Sequence, residues 1–181
     1  DRDELEKQLD TFFSTAGPDI DRFGNTLNQV FEVYVYTQVL RWYRTRGWTV
    51  SLIHPAPRSS RGTPSAVHGA ARPPLRLKRS TAGAPAHYTY ARCERGSQVS
   101  IQVRHQLRVQ TRSGSKMKIP QANMVLDVAV IDNLDLSSYS TWDAVSNDAL
   151  LTFGEAKHMS AHAELVAAFL GVVRELQPGR L

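Results

Sequence analysis

The chain has 181 residues, enough for one domain with a substantial core and some long loops. With 41% hydrophobic and 22% charged residues it has the composition of a soluble globular protein, and no apolar run nears the ~20 residues that a membrane-spanning helix needs. The single cysteine, Cys93, excludes an internal disulfide and any CxxC zinc site and fits a reducing, cytoplasmic setting, while a formal net charge of +5 permits a polyanionic partner.

The opening Asp1-Arg2-Asp3-Glu4 has neither a methionine nor the pattern of a signal peptide. The sequence therefore reads as one domain over 1–181, with a piece of a longer chain as the other reading. Asp3 to Phe13 carries Leu5, Leu9, Phe12 and Phe13 at helical spacing, and Ala16-Gly17-Pro18 breaks it. Asp19 or Asp21 can cap a long helix running toward Arg46. Its middle, Val30 to Tyr36, has the β-branched and aromatic residues of a strand. The apolar pattern nevertheless continues through Val39, Leu40, Trp42 and Tyr43, too long for a strand. Arginines gather where a helix ends, and Gly47 is a natural stop, so helix is expected. Trp42, Tyr43 and Trp48 are expected in the core rather than as stacking platforms.

Trp48 to Ile53 reads as a strand closed by His54-Pro55. Ala56 to Ala86 is rich in Pro, Arg, Ser, Ala and Gly and reads as a long basic loop, either an inert insertion or a clamp for a nucleic-acid backbone. Tyr88 to Glu94 and Gln98 to Thr111 read as antiparallel strands about a turn at Arg95-Gly96-Ser97. Along the second, Gln102, Arg104 and Gln106 alternate with apolar residues and would face nucleic acid or water. Thr111 to Lys116 reads as a solvated hairpin tip, although its amides and cations could meet a phosphate. From Arg58 to Lys118 the chain holds thirteen cations and one acid, Glu94, which suits a phosphate-facing surface.

Asn123 to Asp132 is a near-continuous apolar run, as expected of a central strand buried on both faces. Asp127 interrupts it, and a carboxylate there is costly unless it is paired, metal-bound or at a cleft. Asn133 to Asp148 is polar and irregular. Ala149 to Lys157 reads as another strand. Alternation would set Phe153, Glu155 and Lys157 on one face and the small residues Thr152, Gly154 and Ala156 on the other, against a helix. Ser160 can cap a last helix, Ala161 to Leu176, with Leu165, Phe169, Leu170, Val172 and Val173 as its apolar side. His158 and His162 lie four residues apart, a spacing open to a transition metal but also common in surface histidines.

Three acids stand out: Glu32 within an apolar helix, Asp127 within an apolar strand, and Glu155 two residues before Lys157. Glu-x-Lys alone is common on surface strands, and a helical Glu is ordinary. With the order helix, strands, Asp strand, Glu-x-Lys strand and helix, the set resembles the PD-(D/E)xK nuclease superfamily, over about 19–176. The resemblance rests on Asp127 as the first acid, Glu155-Ala156-Lys157 as the acid-x-lysine element, and Glu32 as the upstream helical acid. Leu126 stands where the motif has Pro, and the interval from Asp127 to Glu155 is longer than usual.

The resemblance implies an α/β (α+β) fold with a restriction-endonuclease-like core, a central mixed β-sheet flanked by helices. It implies a metal-dependent endonuclease, acting on DNA in a defence, restriction or repair system. Asp127, Glu155, the Ala156 carbonyl and Glu32 would hold Mg2+ (Mn2+ as substitute), and Lys157 would orient or deprotonate the attacking water. Arg104, Arg112, Lys116, Lys118 and His158 would face the nucleic acid, and a homodimer would let two strands be cut. The rival readings are a non-catalytic nucleic-acid-binding module of the same fold and a protein-interaction domain with a basic loop.

Overall fold

A computed structural model describes residues 27–55, 75–78, 83–97, 99–117, 122–156 and 163–178. The expected helix at Asp3–Phe13, the caps at Asp19 and Asp21, most of the basic loop, and Lys118, Lys157, His158, Ser160 and His162 lie outside them.

The first described element is α1, Leu27–Thr45. Glu32, Val33, Tyr36, Thr37 and Leu40 are its buried positions, a stripe at the i, i+3, i+4 spacing of one helix face. Tertiary packing of that stripe overrides the strand propensity of its β-branched residues. The helix ends where Gly47 turns at φ +79, and the Trp48 amide donates back to the Tyr43 carbonyl. Tyr43 and Trp48 pack against the core, but Trp42 is half exposed, with the Arg46 guanidinium 4.0 Å above its ring. The expectation that all three aromatics are core is corrected for Trp42.

Five strands follow: β1 Thr49–Ile53, β2 Tyr90–Arg95, β3 Val99–Gln110, β4 Asn123–Asp132 and β5 Leu150–Gly154. They form one sheet in sequence order, and every pair of neighbours is antiparallel. The expected mixed sheet is thus corrected. Each connection returns the chain beside the strand it just left, which an antiparallel ladder permits without a crossover. Among the described residues, parallel geometry is confined to a single bridge, Val109 to Val145, where the 133–148 segment runs beside the end of β3.

Thr111 to Lys116 is not a hairpin tip. It opens a short helix, α2, Arg112–Met117. Thr111 caps it, its hydroxyl accepting from the Gly114 amide at 3.0 Å and donating to the Ala122 carbonyl at 2.8 Å. Gly114 is required there, because a Cβ would run into that same carbonyl. The last helix, α3, spans Ala163–Leu176. Leu176 is buried, Val172 packs on the core and Phe169 meets Phe153, but Leu170 and Val166 are largely exposed. Part of the expected basic loop belongs to the core: Leu75, Leu77 and Lys78 are buried, and Arg76 exchanges hydrogen bonds with Thr89.

Two apolar clusters lie on opposite faces of the sheet. On the α1 face, Val33, Tyr36 and Leu40 pack on Ile101, Val103, Val128 and Val130. On the other face, Leu107, Val109, Leu126, Ala129 and Ile131 pack with Leu136, Leu150 and Leu176. Strict alternation would keep 101, 103, 107 and 109 on one face. The exchange of faces occurs at Gln106, whose φ is +50, and at Asp127 opposite it. The register is unchanged across it, with His105 opposite Val128 and Leu107 opposite Leu126. A left-handed non-glycine residue costs about 1–2 kcal/mol, and such strain inside a strand is a mark of functional sites.

Candidate active site

Two of the expected acids lie near the point where β3 and β4 exchange faces: Asp127 at it, and Glu32 bonded to Gln106. Burial of the α1 stripe carries Glu32 down to β3, leaving the residue 9% exposed. Its Oε2 accepts a 2.8 Å hydrogen bond from the Gln106 side-chain amide, which the left-handed turn of Gln106 makes reachable. The same oxygen lies 3.4 Å from His105 Nε2. That contact lacks hydrogen-bond geometry: among the described residues neither ring nitrogen of His105 has a hydrogen-bond partner, and Gln106 Oε1 has none either. Buried polar atoms in this state are uncommon and characterise reactive or ligand-binding positions. Above them Tyr36 stands edge-on to the His105 ring and donates its hydroxyl to the Val103 carbonyl. Burial, and secondarily Cys93, raises the Tyr36 phenol well above its ordinary range, so it remains a donor.

Across β3 from Gln106, Asp127 is 8% exposed. Val128 opposite Gly154 is the last pair between β4 and β5. The next positions are Asp127 and Glu155, side by side in the sheet. There the ladder gives way to a side chain: Asp127 Oδ2 accepts from the Ala156 amide at 2.8 Å. A buried carboxylate in an apolar strand is thereby given a partner, and the Glu155-Ala156 backbone is fastened beside it. Glu155 itself is half buried and Ala156 buried. Thr152 and Gly154, the small residues of β5, lie opposite Val130 and Val128 of the α1-side cluster, as a face pressed against a helix requires.

The structure therefore brings Glu32, Asp127 and the Glu155-Ala156 segment to neighbouring positions on α1, β4 and β5. Lys157 is outside the described residues. The cations sort differently. Arg104, expected to face nucleic acid, is 6% exposed on the face away from α1, bonded to Gln102 and to the Pro85 carbonyl. Gln102 is buried beside it, so neither faces solvent. Arg112 is exposed, but its guanidinium donates to Gln177, fastening α2 to the end of α3. Lys116 is exposed on α2.

Sequence reasoning missed His105 and Gln106 as partners of Glu32. Apolar residues keep their odd-numbered rhythm from Val99 to Val109, so the pattern conceals the exchange of faces. It also missed Lys78. Burial, with Arg108 nearby as the lesser cause, lowers its pKa to about 8. Among the described residues, no three His, Cys, Asp or Glu side chains group closely enough to hold a metal ion, and no helix is long and apolar enough to cross a membrane.

No family model, no curated protein and no solved structure matches this chain.

Proposed function

We propose that the chain is a metal-dependent nuclease hydrolysing phosphodiester bonds, with DNA as the preferred substrate and a restriction-endonuclease-like core. Asp127, Glu155 and Lys157 are its working residues, and Glu32 supports them. The observation that carries this reading is the buried Asp127 carboxylate fastened to the Ala156 amide, directly beside Glu155. A carboxylate within an apolar strand is costly to desolvate, and its position where the β4–β5 ladder ends supports a chemical role.

The donor set suits a hard cation. Asp127, Glu155 and the Ala156 carbonyl offer oxygen only, and Mg2+ commonly takes one or two protein carboxylates and completes its shell with water and phosphate oxygens. Mn2+ would substitute. Once bound, such an ion polarises the scissile phosphate and makes water acidic enough to attack. The chain's own residues do the rest. The Ala156 amide fixes the orientation of the Asp127 carboxylate. Gln106 fixes the Glu32 carboxylate, which would orient water. Lys157, two residues beyond Glu155, would steady charge on the attacked phosphate.

Plasmid incubated with Mg2+ should be cut, and EDTA should stop the cutting. Glu155→Ala and Lys157→Ala should each slow it on the order of 100-fold. Unchanged cutting by both variants ends the assignment. Salt-sensitive DNA binding without cleavage, indifferent to metal, would make the chain a binding module of the same shape. No affinity for DNA at moderate salt would favour a protein-docking role.

A further inference from the structure

The sheet face away from α1 carries a cavity of about 540 Å³, walled by Tyr88, Tyr90, Gln102, Arg104, Asn133 and Leu134 among others. It belongs to the first half of β3, and neither Gln106 nor Asp127 lines it. Its size is that of a small-molecule pocket.

The wall is built around one buried cation. Arg104 Nε donates to Gln102 Oε1 at 2.7 Å, and Nη1 donates to the Pro85 carbonyl at 3.2 Å. The guanidinium lies 3.9 Å above the Tyr90 ring. Gln102 is locked in turn, its amide donating to Asn133 Oδ1 at 2.9 Å and to the Leu134 carbonyl at 2.7 Å. All these partners are neutral. Among the described residues no carboxylate pairs with Arg104, and its Nη2 has no hydrogen-bond partner. Asp135, at the rim, accepts from the Ser137 amide and is exposed. Burial lowers the Arg104 pKa only to about 10, so it stays cationic at neutral pH. A buried cation without a counter-ion, oriented by three neutral contacts and open on one side to a cavity, is arranged for an anion. The cavity is far larger than one anionic group, and Tyr88, His54 and Pro55 give it flat and apolar walls.

We propose that this cavity binds a nucleoside monophosphate, with the phosphate on Arg104 and the planar base against the Tyr88 side. The nucleotide is either free or the terminal unit of a strand. The inference does not require the nuclease reading, since a binding assay on the Glu155→Ala protein reads it without cleavage.

Isothermal titration of that protein with the common ribonucleoside 5′-monophosphates should detect binding. The matching nucleosides and inorganic phosphate should bind at least about tenfold more weakly. Arg104→Met should weaken the monophosphate by about tenfold or more. Because Arg104 is buried and the variant can lose stability, Ser137→Trp provides the second test. It blocks the rim while leaving every Arg104 contact in place, and it should abolish binding. A 5′-phosphorylated oligonucleotide that outcompetes the free monophosphate places a strand end in the cavity. One that does not compete places a free nucleotide there. Monophosphates that bind no better than phosphate, or an affinity indifferent to Ser137→Trp, would overturn the proposal.

Discussion

The two faces of the sheet bury polar side chains in opposite ways. On the face away from α1, Gln102 uses its carbonyl and both amide hydrogens, and Arg104 uses two nitrogens and its π-face. On the α1 side Gln106 donates to Glu32, and among the described residues both ring nitrogens of His105 and the Gln106 Oε1 are left without a hydrogen bond. A satisfied network stiffens a wall, whereas a partly satisfied one keeps hydrogen-bonding capacity in reserve for a substrate, a water or an ion. Both sets hang from one strand, two to four residues apart. They differ because Gln106, within β3, adopts a left-handed conformation.

Truncating the two glutamines should separate these roles. Gln102→Leu removes three hydrogen bonds and strands a buried cation's donor, so it should destabilise the fold by about 3 kcal/mol in urea unfolding while leaving plasmid cutting of the folded protein intact. Equal losses for both glutamines would erase the contrast. Gln106→Leu removes one bond from a set already short of partners and should cost about 1 kcal/mol. Its larger effect should be catalytic, a drop of about tenfold in cutting, since Glu32 loses its positioning.

Gln106→Gly sharpens the point. Relief of left-handed strain offsets the lost hydrogen bond to within about 1 kcal/mol, so stability should barely change while cutting falls as in the leucine variant. A glycine variant with full activity would detach Glu32 from the mechanism.

Stability should also respond to pH, through Lys78. Its pKa falls from an ordinary value near 10.5 to about 8 on folding. Between those values the unfolded chain binds more protons than the folded one, so this lysine's penalty is full below pH 8 and fades as pH rises toward 10.5. Burial raises the Cys93 thiol from 9.0 to about 12, which works in the opposite direction above pH 9. The difference between wild type and Lys78→Met isolates the lysine. The variant should gain stability below pH 8 relative to wild type, and the gain should shrink toward pH 10. A difference independent of pH would mean that Lys78 keeps its ordinary pKa. The smallest effect is expected from Arg112→Ala. Its exposed bond to Gln177 should contribute within about 0.5 kcal/mol, and DNA affinity should hardly move.

Much of the framework was legible in residue patterns. The α1 stripe from Glu32 to Leu40 marks a helix because the apolar spacing persists beyond any strand's length. The near-continuous apolar run from Met124 to Ile131 marks a strand buried on both faces, and Asp127 is conspicuous within it because a carboxylate there needs a reason. Gly47 and Gly96 mark the stops, both at positive φ. Thr111 and Gly114 also held a signal, a helix cap and a close approach, which the surrounding polar residues disguised as a hairpin tip.

What the sequence by itself determined was which segments must be buried and where the chain must turn, because side-chain periodicity and backbone sterics act over a few residues. Only the tertiary structure decided that all five strands run antiparallel, that Arg104 and Gln102 turn inward, and that β3 and β4 exchange faces at Gln106 and Asp127. Those outcomes depend on neighbours distant in sequence. A single left-handed φ redirects every side chain beyond it without altering the apolar rhythm that a sequence displays.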